Sequence, residues 1–260
     1  VHHQSEDYNL SVALQPSCNS YFIETFRNLI EIKCFDKPKI GLDILSKYLG
    51  KFGLGKPLES DLSTENGGFI PTSDYYSRLY KTDNWRSTYI ISVGIGQGEL
   101  QLTTLQMANL AAILANNGYY YVPHLVKQFG NAEKAIPERF RTKITVPINK
   151  KYFESVINGM ELAVNSGTAT LAYNPEISIC GKTGTSQNPH GEDHSVFFAF
   201  APKINPKIAL AVYVENAGWG GAIAAPIASL IIEKYLKGKI SRIDLEEKMK
   251  KKDLIKKDKT

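Results

Sequence analysis

Cysteine is scarce in this chain of 260 residues, and what little there is forms no pattern. Cys18, Cys34 and Cys180 are odd in number and contain no Cys-x-x-Cys pair, which excludes a disulfide framework. Cys180 falls within an apolar run and reads as a small core residue. No apolar run reaches the roughly 20 residues that a bilayer-spanning helix needs. No signal-like stretch is visible, and the chain opens on Val1, which reads as a piece of a longer protein. No serine has a lysine three residues after it. Excess charge is also missing from most of the chain. The net charge is +5, and the segment from Lys237 to Thr260, with ten Lys/Arg against five Asp/Glu, accounts for all of it. A neutral remainder argues against a nucleic-acid surface. The basic tail reads as a solvated, poorly ordered end, with attraction to anionic lipid as the alternative. What is present, 43% hydrophobic and 22% charged residues, suffices for one large domain or two small ones.

Apolar spacing predicts a helical first part. Asn9 can cap a short helix from Leu10 to Gln15 that Pro16 ends. Ser17-Cys18-Asn19 then opens a second helix, with Phe22, Phe26, Leu29 and Ile30 at helical spacing. A third carries Leu42, Leu45, Leu49 and Phe52. Residues 56–86 read as a long irregular segment, with Pro57, Gly67-Gly68 and Pro71 as turns. Thr103 and Gln106 form a capping box for a helix over 104–117, ended by Gly118. A further helix runs from about Lys150 to Val164. The period then changes. Segments 177–185, 194–202 and 207–215 read as strands, the last two joined by a turn through Pro202 and Pro206, and 222–236 reads as an apolar helix packed on the sheet.

Two short motifs stand out. Lys182-Thr183-Gly184-Thr185 lies on the first predicted strand, where alternation puts Thr183 and Thr185 on one face and Lys182 on the other. Gly184 leaves room beside the lysine, so that a substrate strand could lie along the edge. An edge lysine that discourages aggregation, beside a glycine bulge, is the plainer reading of this motif alone. Ser17-Cys18-Asn19 is a Ser-x-Asn triplet opening a helix in the other half of the chain, a place that suits a second wall of a cleft; an ordinary helix cap explains it equally. His190 and His194, with Glu192 and Asp193 between them, have zinc-pair spacing. Pro189 and Gly191 put them in a loop without a common face, so charged pairs and turns holding that loop are the favoured reading and no metal or cofactor is expected.

In order along the chain, Asn9–Phe22 (NLSVALQPSCNSYF), residues 93–117 around VGIGQGELQLTTLQ, Asn165–Ala169 (NSGTA), Gly181–Ser195 (GKTGTSQNPHGEDHS) and Glu215–Tyr235 form a set far more specific than either triplet. The chain resembles the C-terminal part of the transpeptidase domain of class B penicillin-binding proteins, nearest the elongation type, penicillin-binding protein 2. The resemblance implies a peptidoglycan D,D-transpeptidase that cross-links stem peptides through an acyl-serine. It implies that Ser17 is a proton relay, that Asn19 bonds the substrate amide, and that Lys182 tunes Ser17 and attracts the substrate carboxylate. Thr183 and Thr185 would bind that carboxylate beside Gly184, and the Thr185 N–H would be an oxyanion donor. Ser17 and Lys182 are then expected within hydrogen-bond reach.

The family's Ser-x-x-Lys, which carries the nucleophile and its base, has no counterpart here. The expectation is a fragment that starts after that motif, with two strands and a membrane anchor upstream, inactive by itself. The implied fold is α+β, of the β-lactamase-like serine transpeptidase type and incomplete. Its expected parts are a helical subdomain over 1–170, antiparallel strands and a C-terminal helix over 171–237, and the tail over 238–260. The implied partners are peptidoglycan stem peptides, β-lactam antibiotics and a membrane glycosyltransferase of the elongation machinery, at the periplasmic face of the inner membrane. A serine β-lactamase and a non-catalytic β-lactam sensor or pseudoenzyme are the rival readings.

Overall fold

The computed structural model describes residues 9–35, 37–128 and 136–254. In chain order the helices are α1 (Leu10–Leu14), α2 (Asn19–Ile30), α3 (Pro38–Lys51), α4 (Ser73–Tyr80), α5 (Thr104–Ala115), α6 (Phe153–Ser166), α7 (Ala224–Lys237) and α8 (Ile243–Lys250). The strands are β1 (Tyr119–Tyr120), β2 (Ile144–Thr145), β3 (Cys180–Ser186), β4 (His194–Ala201) and β5 (Ile208–Val214). The fold is thus mixed helix and antiparallel sheet, the sheet being partial. The chain divides into two compact units, one of residues 1–17, 114–117 and 150–260, the other of residues 18–113 and 118–149.

The first unit holds the sheet, in the order β3-β4-β5. Both pairs are antiparallel, with Lys182 opposite Phe198 and Phe197 opposite Val212. Its core joins α6, α7 and the sheet: Val164, Ile177, Ile179, Phe197, Ala199, Ala224, Ala228 and Ile232 are all buried there. The small residues of α7 let the helix approach the sheet closely, as its apolar pattern predicts. α1 lies against α6 at Gly159, where a Cβ would come within 2.7 Å of the Leu14 side chain. Asn9 caps α1 as expected, its Oδ1 accepting from Val12 N–H at 3.1 Å. Because α1 packs on α6 and α6 on β3, the first unit joins residues from both sides of the boundary expected near residue 170. Long-range packing, invisible to a pass along the chain, sets the division instead.

The second unit is built around α2, α3 and α4, whose Phe26, Ile30, Leu42 and Tyr76 share a buried cluster with Trp85, Ile90 and Val93. Gln106, almost fully buried, organises its loops. Its Oε1 accepts from Thr103 N–H at 3.0 Å, and its Nε2 lies within 3.2 Å of the carbonyls of Gly53, Lys56 and Gly67. The capping box at Thr103 therefore also ties down residues 53–67. The segment read as irregular contains α4. Thr72 caps it through Oγ1 and Tyr75 N–H, and Tyr76 is fully buried with its hydroxyl donating to Glu99 at 2.6 Å. Tyrosines supply its core face, which an aliphatic periodicity does not reveal. The two-residue β1–β2 ladder was also too short to be predicted.

The C-terminal segment departs from the expected disordered tail, for residues 243–250 form α8 and 255–260 lie outside the described residues. The cause is a buried ion pair. Glu233 on α7 is fully buried and accepts from Arg242 Nε at 2.8 Å, from Ser241 N–H at 2.8 Å and from the Ser241 hydroxyl. Arg242 also donates to Tyr173 O at 3.0 Å and to Ser229 Oγ at 3.2 Å. Burial pushes the Glu233 carboxyl up, but the bonds from Ser241 and Arg242 outweigh it, and the group sits below its ordinary 4.5.

A carboxyl so depressed stabilises the fold above its ordinary value, and that stability is lost as pH falls through the lower folded value. Glu233→Gln leaves Arg242 without its counter-charge and is expected to destabilise by about 3 kcal/mol at neutral pH. Urea unfolding of both forms should show this gap shrinking as pH is lowered below 4.5. A gap independent of pH would remove the ion pair from the account.

Candidate active site

The site is assembled in the first unit, from the end of α1, the end of α6, and β3. Pro16 stops α1, and Ser17 follows in the left-handed region at φ 56°. A side chain with a Cβ is strained there, by about 1–2 kcal/mol. The conformation is held by its surroundings. Ser17 N–H donates to Leu14 O at 3.2 Å, and the preceding Gln15 is clasped to the end of α6. Gln15 Nε2 donates to Ser166 O at 3.1 Å and to Ser166 Oγ at 2.9 Å, while Gln15 O accepts from Thr168 N–H at 3.2 Å.

Lys182 reaches this serine from β3, its Nζ donating to Ser17 Oγ. The expected approach of the two residues is therefore present, across a separation of 165 residues. Nζ also donates to Thr183 O at 3.1 Å and contacts Thr183 Oγ1 at 3.4 Å. Strand alternation alone sends Lys182 and Thr183 to opposite faces. Nζ nevertheless comes within 3.4 Å of the next residue's hydroxyl, a reach that the long lysine stem allows. Burial pushes the Lys182 ammonium down from its ordinary 10.5 to about 8. Among the described residues, the hydrogen-bond partners of Nζ are Ser17 and Thr183 oxygens, none of them a carboxylate.

β3 runs in regular register through the motif: Thr183 faces Phe197, Gly184 faces Val196 and Thr185 faces Ser195. The glycine-bulge reading of Gly184 is thereby excluded. Thr185 Oγ1 accepts from Gly220 N–H at 3.4 Å. Gly220 is required there, since a Cβ would stand 2.2 Å from Gly184 O. Among the described residues β3 pairs with β4 on one side only, leaving it an edge of the sheet. Asn19 is the first residue of α2, exposed, and belongs to the second unit.

Thr168 is the residue that sequence reasoning did not single out. Its Oγ1 lies 3.3 Å from Ser17 Oγ and 3.0 Å from Thr183 Oγ1. It appeared in the NSGTA run without a role. A Gly-Thr pair directly after a long amphipathic helix was the available signal, since it places a hydroxyl at a helix end.

Amide and carboxylate side chains both hold the loop after β3. Asn188 donates to Asn216 Oδ1 at 2.6 Å, and Asn188 N–H donates to Asp193 Oδ1 at 3.2 Å. His194 begins β4, its Nδ1 accepting from Asn216 N–H at 3.0 Å. That bond commits one imidazole nitrogen to the backbone.

The family model of the penicillin binding protein transpeptidase domain matches residues 1–233. A curated relative from Haemophilus influenzae, the peptidoglycan D,D-transpeptidase MrdA, is 33% identical over 92% of this chain and 38% of its own length. Pseudomonas aeruginosa PBP2, solved in complex with WCK 5153, has a TM-score of 0.74 at 31% identity, covering 90% of this chain and 49% of that one. A chain from a peptidoglycan synthase complex that coordinates polymerisation and crosslinking gives a TM-score of 0.74 at 26% identity, covering 90% and 38%. The chain thus spans less than half the length of each of these three proteins. By its family match and by these similarities, it belongs to the penicillin binding protein transpeptidase domain family, of the PBP2/MrdA type.

Proposed function

We propose that this chain carries the proton-relay and substrate-carboxylate side of a peptidoglycan D,D-transpeptidase of the elongation type. The observation that supports it most is the Lys182–Ser17 hydrogen bond, which gives a serine hydroxyl a cationic neighbour inside a structured site. In this reading an active-site serine attacks the penultimate D-Ala carbonyl of a stem peptide. Its oxygen bonds to the carbonyl carbon, and its proton travels through a basic group and Ser17 to the amine of the departing D-Ala. An amine of a neighbouring strand then takes the acyl group and returns a proton by the same route. Ser17 can serve in both directions because Lys182 stabilises its oxygen whenever negative charge grows on it.

Asn19 would bond the substrate amide, and Thr183 and Thr185 the terminal carboxylate. Gly184 leaves the edge of β3 open to an extended peptide, and the Thr185 N–H would meet the developing oxyanion. A β-lactam would occupy the same groups in place of the stem peptide. The loop at 187–194, with Glu192 and Asp193, would steer a cationic acceptor. Work at the periplasmic face of the inner membrane and association with a membrane glycosyltransferase go with this function; the similarity to a chain of a peptidoglycan synthase complex supports the latter. No helix among the described residues is long and apolar enough to cross a membrane.

The nucleophile would be a Ser-x-x-Lys serine that these 260 residues do not contain. The isolated chain is therefore expected to give no covalent adduct with a fluorescent penicillin, whereas the full-length gene product should be labelled. In the full-length protein Ser17→Ala and Lys182→Met are each expected to slow acylation by about 100-fold. A stable adduct on the isolated chain overturns the assignment of the nucleophile. No labelling of the full-length protein overturns the transpeptidase reading, and rapid hydrolysis of the adduct would point to a β-lactamase.

Titration of Lys182 makes a separate expectation. Between about 8 and 10.5 the unfolded chain holds a proton on this lysine that the folded chain has released. Stability from this residue therefore rises with pH across that window and is flat below it. Denaturation midpoints of the wild type should gain on those of Lys182→Met from pH 8 to 10. A difference that does not change with pH would place the ammonium in water.

A further inference from the structure

Lys182, Ser17, Thr168 and Thr183 close a ring. Nζ bonds Ser17 Oγ, Ser17 Oγ meets Thr168 Oγ1 at 3.3 Å, Thr168 Oγ1 meets Thr183 Oγ1 at 3.0 Å, and Thr183 Oγ1 returns to Nζ at 3.4 Å. Proton counting limits how this ring can be wired. The ammonium can only donate, so Ser17 and Thr183 both accept from it. Each hydroxyl has one hydrogen. Thr168 stands between the other two, and it can give its hydrogen to one of them while taking a hydrogen from the other. Only two wirings satisfy both contacts. In one, Ser17 points its hydrogen at Thr168 and Thr183 has its own hydrogen available. In the other, Thr183 points at Thr168 and the Ser17 hydrogen is available.

We propose that Thr168 is a positioning residue that couples the hydroxyl of Ser17 to that of Thr183, so that occupancy of one sets the proton direction at the other. The inference rests on the transpeptidase reading and deepens it. A carboxylate on Thr183 requires a donated hydrogen and selects the first wiring. Ser17 then offers a lone pair towards the cleft, the orientation that accepts the nucleophile's proton. When the carboxylate leaves, the second wiring becomes accessible and the Ser17 hydrogen turns outward. The ring moves no proton off the protein and needs no co-reactant. It sets orientation only.

The backbone around Thr168 fits a residue held for position. Its N–H donates to Gln15 O at 3.2 Å, fixing it to the strand of chain that carries Ser17. Its carbonyl is so close to the 218–222 loop that a Cβ on Gly221 would stand 2.4 Å from it. Thr168 therefore touches the supports of Ser17, of β3 and of the loop beside Thr185, with its hydroxyl left to choose between two acceptors.

The test uses Thr168→Val, which keeps the shape and removes the hydroxyl, Thr168→Ser, which restores it, and a double-mutant cycle with Thr183→Val. In the full-length gene product, Thr168→Val is expected to slow acylation by a carboxylate-bearing penicillin by about tenfold, and Thr168→Ser to recover most of the loss. The two valine variants together should cost clearly less than the product of their separate effects, because either one breaks the same ring. Thr168→Val at the wild-type rate, multiplicative effects, or a Thr168→Ser variant as slow as valine would each overturn the coupling. The last outcome would assign Thr168 to packing. A readout independent of activity is the NMR titration of the Lys182 side chain in the 260-residue chain. A valine methyl at the ring withdraws polar support from the ammonium, so its midpoint is expected below the wild-type value of about 8, with serine restoring it. An unchanged midpoint in Thr168→Val overturns the ring even if the full-length wild type proves unable to acylate, whereas that failure alone would sink only the transpeptidase reading.

Discussion

A lysine ammonium surrounded by hydroxyls and a carbonyl, with burial as the cause of its lowered basicity, must be held by structure rather than by an opposing charge. Lys182 is in that situation, and the first unit is organised to meet it. β3 supplies the stem, α1 ends where its partner oxygen is needed, and α6 ends where the other two hydroxyl contacts converge. A carboxylate in the same place would have made a simpler site, but it would have kept the ammonium charged and the neighbouring serine inert. Oxygen acceptors leave the ammonium within reach of neutral pH and still able to stabilise an oxyanion.

The geometry depends on a helix junction rather than on the sheet alone. α1 has five residues and could not keep its shape in isolation. It is held by packing at Gly159 and by the clasp of Gln15 on Ser166 and Thr168. The sheet is equally dependent on its neighbours. Phe197 lies under β3 against Gly181 and in the same core as α6 and α7. Moving α6 would therefore disturb both Ser17 and Lys182, through different contacts.

Much of this was legible in the sequence, and the parts that were not have physical reasons. The β3–β5 segments and α7 followed from alternation and apolar spacing, and the Ser17–Lys182 approach from the family resemblance that the ordered motif set carries. α4 escaped because tyrosines build its buried face. α8 escaped because a lysine-rich composition conceals one arginine, Arg242, whose carboxylate partner is buried on another helix. Lysine and threonine alternation placed Lys182 and Thr183 apart, whereas Nζ and the Thr183 hydroxyl come within 3.4 Å of each other. Thr168 needed the fold itself. Nothing in a Gly-Thr pair says which hydroxyls lie beside it, since Ser17 reaches it across 151 residues and Thr183 from 15 residues further on.

The left-handed backbone at Ser17 constrains how this position can change over time. Glycine, asparagine and aspartate are the residues that relax such a conformation, and each of them discards the β-hydroxyl. Threonine keeps a hydroxyl but adds a branch at Cβ, which makes positive φ harder still. Serine is the one alcohol side chain that suits both demands. Drift towards greater stability at this residue leads away from the hydroxyl, and drift that preserves the hydroxyl must accept the strain. The position is locked from both sides, and the surrounding hydrogen bonds, rather than the residue itself, are where variation can accumulate.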